Sequence, residues 1–169
     1  LGPAVHVTPV GDADPLLRLG DCIVQPAAFF RRSAYEAVGG LDASLHWTMD
    51  YDLWLRLARQ FPSRHLPQPL AKVRLVPSTK TASGGWKRMA EVERVARKYG
   101  RTTLPAWFAI ESAAMHAREA IGAMQQKRPR AAYASAAAAV KNLTAPGTIS
   151  ALALPRTWRM LHRRLRNGI

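Results

Sequence analysis

The sequence predicts an α/β first half, a small mixed sheet flanked by a helix, followed by a mostly α-helical second half. Three observations predict it. The runs CIVQPAAFF and LAKVRLV are strand-like in their apolar content, the segment beginning at Asp50 separates apolar from polar residues at helical spacing, and after Gly85 only helical patterns occur. The expected regions are residues 1–84 and residues 85–169.

With 169 residues the chain has room for one domain and an appendage, and 48% hydrophobic with 21% charged residues is a globular composition. Lysine and arginine total 25 against 11 acids, a net charge of +14 that calls for an anionic neighbour: nucleic acid, a phosphorylated substrate or an anionic membrane surface. The single Cys22 excludes an internal disulfide framework and a cysteine-rich zinc site, and it reads as a small buried hydrophobe. No apolar run is long enough to span a bilayer, and the first residues lack the order of a signal peptide. The chain opens on Leu1 rather than methionine and reads as a piece of something longer.

Taken in order, residues 1–20 are rich in proline and glycine and predict loop, with one short strand near residues 5–10. CIVQPAAFF predicts a buried strand bent at Pro26. In SAYEAV, Ser33 and Glu36 have the spacing of a capping box, and Gly39 and Gly40 end that short helix. The next helix starts near Asp50, with Leu53, Trp54, Leu57 and Ala58 on one face, Asp52, Arg56 and Arg59 on another, and Pro62 as its stop. A strand over residues 70–76 and the polar loop PSTKTASGG follow. WKRMAEVERVARKYG sets Met89, Val92, Ala96 and Tyr99 at helical spacing and closes at Gly100. LPAWFAIESAAMHAREAIGAM and PRAAYASAAAAVKNL predict two further helices, and PRTWRMLHRRLRNG sets Trp158, Leu161 and Leu165 on a stripe among arginines.

Two acids sit where the central helix begins. On a helix Asp50 projects over the face of Leu53 and Trp54, whereas Asp52 points toward Arg56. One account makes Asp50 a helix cap and Asp52 half of an exposed ion pair. The other places Asp50, hemmed by Trp47, Tyr51 and Trp54, on the floor of a cleft where it takes a proton from a hydroxyl, with flat aromatic faces suited to a sugar ring.

The stretch QPAAFFRRSAYEAVGGLDASLHWTMDYDLWLRLA, followed by PLAKVRLVPSTKTAS, resembles the second half of the catalytic domain of bacterial family-2 glycosyltransferases, inverting enzymes of the GT-A fold. The four blocks PAAFFRR, GGLDASL, DYDLWLR and RLVPSTKT occur in the family's order and cover residues 21–83 approximately. The resemblance implies a partial GT-A domain in which Asp50 is the general base that deprotonates an acceptor hydroxyl. It implies substrate-binding duties for Asp42 near the acceptor, for Trp47, Asp52 and Arg56 around the cleft, and for Arg74, Lys80 and Thr81 in a loop closing over the nucleotide diphosphate. Taken as residues alone, Asp42 equally suits a turn and the loop cations equally suit solvent.

The same resemblance implies a nucleotide-sugar donor, a saccharide or lipid-linked acceptor, and a divalent cation, magnesium or manganese. Val76 stands where the family often has a histidine that helps hold the ion. The D-x-D motif of the family's nucleotide-binding half is absent, and GDADP with Asp12 and Asp14 does not follow a buried strand, so the chain is expected to be a fragment whose metal ligands lie mostly elsewhere. No metal site is read from His6, His46, His65, His116 and His162, which lack paired spacing. The expected location is cytoplasmic, with the basic tail either peripheral at the inner membrane face or packed on the domain. The rival function is a non-catalytic basic module that binds anionic membrane or another polyanion. Nucleic acid is the weaker partner, because no recognised motif accompanies the charge.

Overall fold

The computed structural model describes residues 20–21, 23–64, 66, 68, 70–72 and 80–153. Apart from one 3-10 turn, the elements are α1 (Arg32–Ala37), α2 (Met49–Gln60), α3 (Lys80–Ser83), α4 (Gly85–Lys98), α5 (Ala106–Gln125), α6 (Pro129–Thr144) and α7 (Pro146–Leu152). The chain divides into two compact units, Leu1–Arg101 and Thr102–Ile169.

The expected α/β class, with its partial GT-A sheet, is therefore incorrect for this structure: every regular element among the described residues is helical. In CIVQPAAFF the strand is replaced by the 3-10 turn Gln25–Ala27. Pro26 explains the exchange, since its ring fixes φ and it has no amide to donate to a ladder, which suits the start of a turn and not the middle of a sheet. Phe29 and Phe30 are 77% and 46% exposed, so the run is not a buried strand either. Residues 70–72 are exposed and irregular, while residues 73–76 and the strand expected near residues 5–10 lie outside the described residues.

Helix α1 has Arg31 at its N-cap position and no side-chain cap, so the capping box expected of Ser33 and Glu36 does not form. Glu36 instead accepts from Arg32 Nε at 2.7 Å across an exposed turn, a pair that contributes a few tenths of a kcal/mol, roughly. The helix closes where the two glycines predict. Gly39 adopts φ +82°, its N–H donates to Glu36 O, and the Gly40 N–H reaches back to Tyr35 O. The same pair of bonds ends α4 at Gly100 and α5 at Lys127, a lysine that takes φ +56° to do so. At Gly40, where φ is +69°, a Cβ would press on Tyr35 Oη at 3.0 Å, the atom that accepts the Leu41 N–H.

Helix α2 buries Tyr51, Asp52, Leu53, Trp54 and Leu55, and it ends at Gln60, two residues before Pro62. Each fully buried leucine of this set stabilises the unit by about 1.5–3 kcal/mol relative to exposure. Trp54 meets Phe30 edge-on at 5.8 Å, and Phe30 stacks on Tyr35 of α1 at 5.7 Å, so the aromatic rings link the turn before α1 to α2. Helix α4 buries Met89, Val92, Val95 and Ala96 on the stripe its periodicity predicts.

In the second unit α5 and α6 lie against each other as a helical hairpin and α7 contacts both. Phe108, Ala109, Ser112, Ala113 and Ala120 form the buried side of α5. Asn142 Nδ2 of α6 donates to Ser112 Oγ at 2.9 Å, a polar tie that fixes the register of the hairpin. No described helix is long and apolar enough to cross a membrane.

Candidate functional site

The first unit is organised around Asp52, whose side chain is 0% exposed. Position 52 lies one residue from the apolar stripe of α2, so the carboxylate is carried inward with Leu53 and must find donors there. It finds three: Arg56 Nε at 2.8 Å, Lys98 Nζ at 3.0 Å and the Tyr99 hydroxyl at 3.0 Å. Arg56 in turn donates through Nη1 to Val38 O, which ties the end of α1 into the same network. Arg59 lies over the Tyr99 ring at 4.5 Å from its centroid. Burial, then the negative charge of Asp52 and then the hydrogen bond to it push the Tyr99 phenol up to about 12. Tyr99 is thus a neutral donor, and with Arg56 and Lys98 it surrounds the Asp52 oxygens, an arrangement that holds α2 to the end of α4.

A second carboxylate braces the approach to α2. Glu91 of α4 is buried and accepts from the backbone N–H groups of His46 and Trp47, one to each oxygen, both at 2.5 Å. The indole of Trp47 is held further by α4's first turn: a Cβ on Gly84 would lie 2.8 Å from Trp47 Nε1, so only glycine permits this approach. His46 stands edge-on to the same indole at 4.6 Å.

Asp42, Ser44, Leu45, Asp52, Arg94, Val95 and Lys98 line an open hollow of about 230 Å³. Asp42 Oδ1 accepts from both the hydroxyl and the amide of Ser44, at 2.7 Å and 3.0 Å. Those two bonds, the hydroxyl first, hold the Asp42 carboxyl below its usual value of 3.8. Its other oxygen lies 3.9 Å from Lys98 Nζ, and Arg94 donates to Ser44 O at 3.3 Å. The rim therefore presents an ionised carboxylate, a hydroxyl and two ammonium or guanidinium groups, a set that hydrogen-bonds polyhydroxyl compounds or anions.

The expected site residues separate into groups. Asp42, Asp52 and Arg56 are brought together, with Lys98, Tyr99, Arg94 and Glu91 as members that the motif blocks did not contain. Asp50 is half-buried in the first turn of α2 and does not line the hollow. Its Oδ1 accepts the Tyr51 N–H at 2.8 Å, a bond within its own first turn. Trp47 is half-buried against Gly84 and Lys80 is exposed at the start of α3, the short helix that also contains Thr81. Arg74 and Val76 lie outside the described residues.

A divalent cation does not fit the acids that are described. Asp42 and Asp52 both face Lys98, whose ammonium occupies the position a cation would take, and no group of three or more metal-ligating side chains forms among the described residues. Set beside protein families, characterised proteins and solved structures, the chain has no match in any of the three comparisons.

Proposed function

We propose that this chain is the acceptor-side part of an inverting glycosyltransferase and that Asp50 is its general base. The observation that carries the reading is the joint occurrence of four ordered sequence blocks and a half-buried Asp50 carboxylate in the first turn of α2, its Oδ1 held by the Tyr51 N–H. The Tyr51 N–H on Oδ1 orients the carboxylate, and Oδ2 is the atom that receives the proton of an acceptor hydroxyl. As that O–H bond breaks, the acceptor oxygen bonds to the anomeric carbon on the side opposite the nucleotide diphosphate. The bond from carbon to diphosphate breaks with its electron pair, and the configuration inverts. Asp42 and Ser44, on the rim of the hollow, supply the acceptor and donor groups that position a saccharide away from the reacting hydroxyl.

The test is sugar transfer from nucleotide-sugar donors in a polypeptide that supplies the donor-binding half. Asp50→Asn lowers turnover by roughly a hundredfold to ten-thousandfold, the scale of a general base, with donor affinity unchanged. Turnover within about twofold of the parent removes Asp50 from the mechanism.

A further inference from the structure

The second unit has a feature that sugar transfer does not use. Helix α6 buries Ala132 and leaves a neighbouring side outward, where Tyr133, Ala136, Ala137 and Val140 form an open apolar trough edged by Lys141 and Thr144. Tyr133 and Val140 are 78% and 59% exposed, and Ile121 and Met124 near the end of α5 are exposed as well. A helix that uses one face for its partner and leaves the other apolar has an unmet contact.

Charge identifies the occupant. After Glu119 this sequence contains no aspartate or glutamate, while Lys127, Arg128, Arg130 and Lys141 flank the trough at the turn before α6 and along it. At helical spacing Arg130 and Lys141 lie along the same edge of the outward face. A second copy of the chain would bring these cations against their own kind, which opposes self-pairing. A single-stranded nucleic acid needs successive aromatic platforms, and Tyr133 is the one aromatic ring on α6. An anionic lipid surface satisfies both halves of the face at once, with apolar side chains entering the acyl boundary and the basic edge meeting headgroups.

The geometry points to α6 as a membrane-docking helix that lies flat on anionic lipid through Tyr133, Ala137 and Val140 with Arg130 and Lys141 at its edge. The proposal is independent of the glycosyl-transfer reading. It also differs from docking by the tail alone, since residues 154–169 lie beyond α6 and outside the described residues.

The experiment is sedimentation of the full chain with vesicles of phosphatidylcholine alone and of equal parts phosphatidylglycerol and phosphatidylcholine. The chain pellets with the anionic vesicles, and the double variant Tyr133→Asp and Val140→Asp lowers its partition coefficient by roughly tenfold or more. Both residues face solvent, so far-UV circular dichroism of the variant matches the parent. A second measurement needs no loss of binding: in a Cys22→Ser background, a fluorophore on Val140→Cys shifts to the blue with anionic vesicles and is quenched by spin-labelled lipid. Three results overturn the proposal. They are equal pelleting with both vesicles, pelleting that survives the double variant with a fluorophore that does not respond, and a lipid-independent dimer that the double variant dissociates.

Discussion

Replacing Asp52 with asparagine keeps the shape of a side chain that is 0% exposed and removes its charge from among three donors. One carbonyl oxygen remains to accept, and the new amide group faces donors that have nothing to accept it. Taking one partner from a buried, hydrogen-bonded charge pair costs about 3–5 kcal/mol. The side chain of Arg56 is 19% exposed and bears most of this cost, whereas that of Lys98 is 51% exposed and recovers water, so its share is screened. The expectation is the lower end of the range, about 3 kcal/mol. With a urea slope of about 1–3 kcal/mol per molar, the unfolding midpoint falls by about 1–3 M. The assay is urea unfolding of the full chain followed by tryptophan fluorescence, because Trp54 lies two residues from the substitution in the same core. Asp50→Asn is the paired control: its carboxylate bonds one neighbouring amide, so its loss is expected to stay within about 1 kcal/mol. A destabilisation below about 1 kcal/mol for Asp52→Asn would refute the assignment of Asp52 as the centre that holds α2 to the end of α4.

Glu91→Gln leaves a single acceptor for the amides of His46 and Trp47 and sets an NH₂ group against the other, so stability falls by about 1–3 kcal/mol in the same urea assay; a loss under about 0.5 kcal/mol removes Glu91 as a brace. The raised Tyr99 phenol gives a pH dependence of defined sign. Above pH 10, the ordinary value of a phenol, the unfolded chain gives up this proton while the folded one retains it until about 12, so stability present below pH 10 is lost across that interval. Urea midpoints measured from pH 9 to 11 should fall more steeply in the parent than in Tyr99→Phe, and parallel curves would show that Tyr99 is not the titrating group.

Much of the helical content was legible, for an identifiable reason. In α2 and α4 the apolar residues recur at helical spacing, and the structure buries Leu53, Trp54, Met89, Val92 and Ala96 as that spacing requires. The sequence of CIVQPAAFF does not distinguish strand from turn, because a short apolar run has no period of its own, and Pro26 starts a turn instead of bending a strand. The pairing of Asp52 with Arg56 follows from a four-residue separation, but its burial does not, because the two remaining donors come from positions 98 and 99. One signal was available. Glu91 and Lys98 are seven residues apart and so lie along the same border of α4's apolar stripe, the place from which long charged side chains reach over a core. Asp50 and Asp42 could be named from sequence blocks alone, whereas the Ser44 bonds to Asp42 and the Tyr51 bond to Asp50 depend on local backbone that no block encodes.

The placement of Lys98 and Tyr99 at the very end of α4 also sets how the polypeptide can be cut. A version stopped before position 98 would keep the whole of α2 and its Arg56 pair yet strip the interior acid of its ammonium and phenol partners, and one stopped before Glu91 would in addition release the backbone ahead of that helix. Autonomous folding of the leading segment thus demands the complete α4, however remote its last turn is along the chain from the carboxylates it serves.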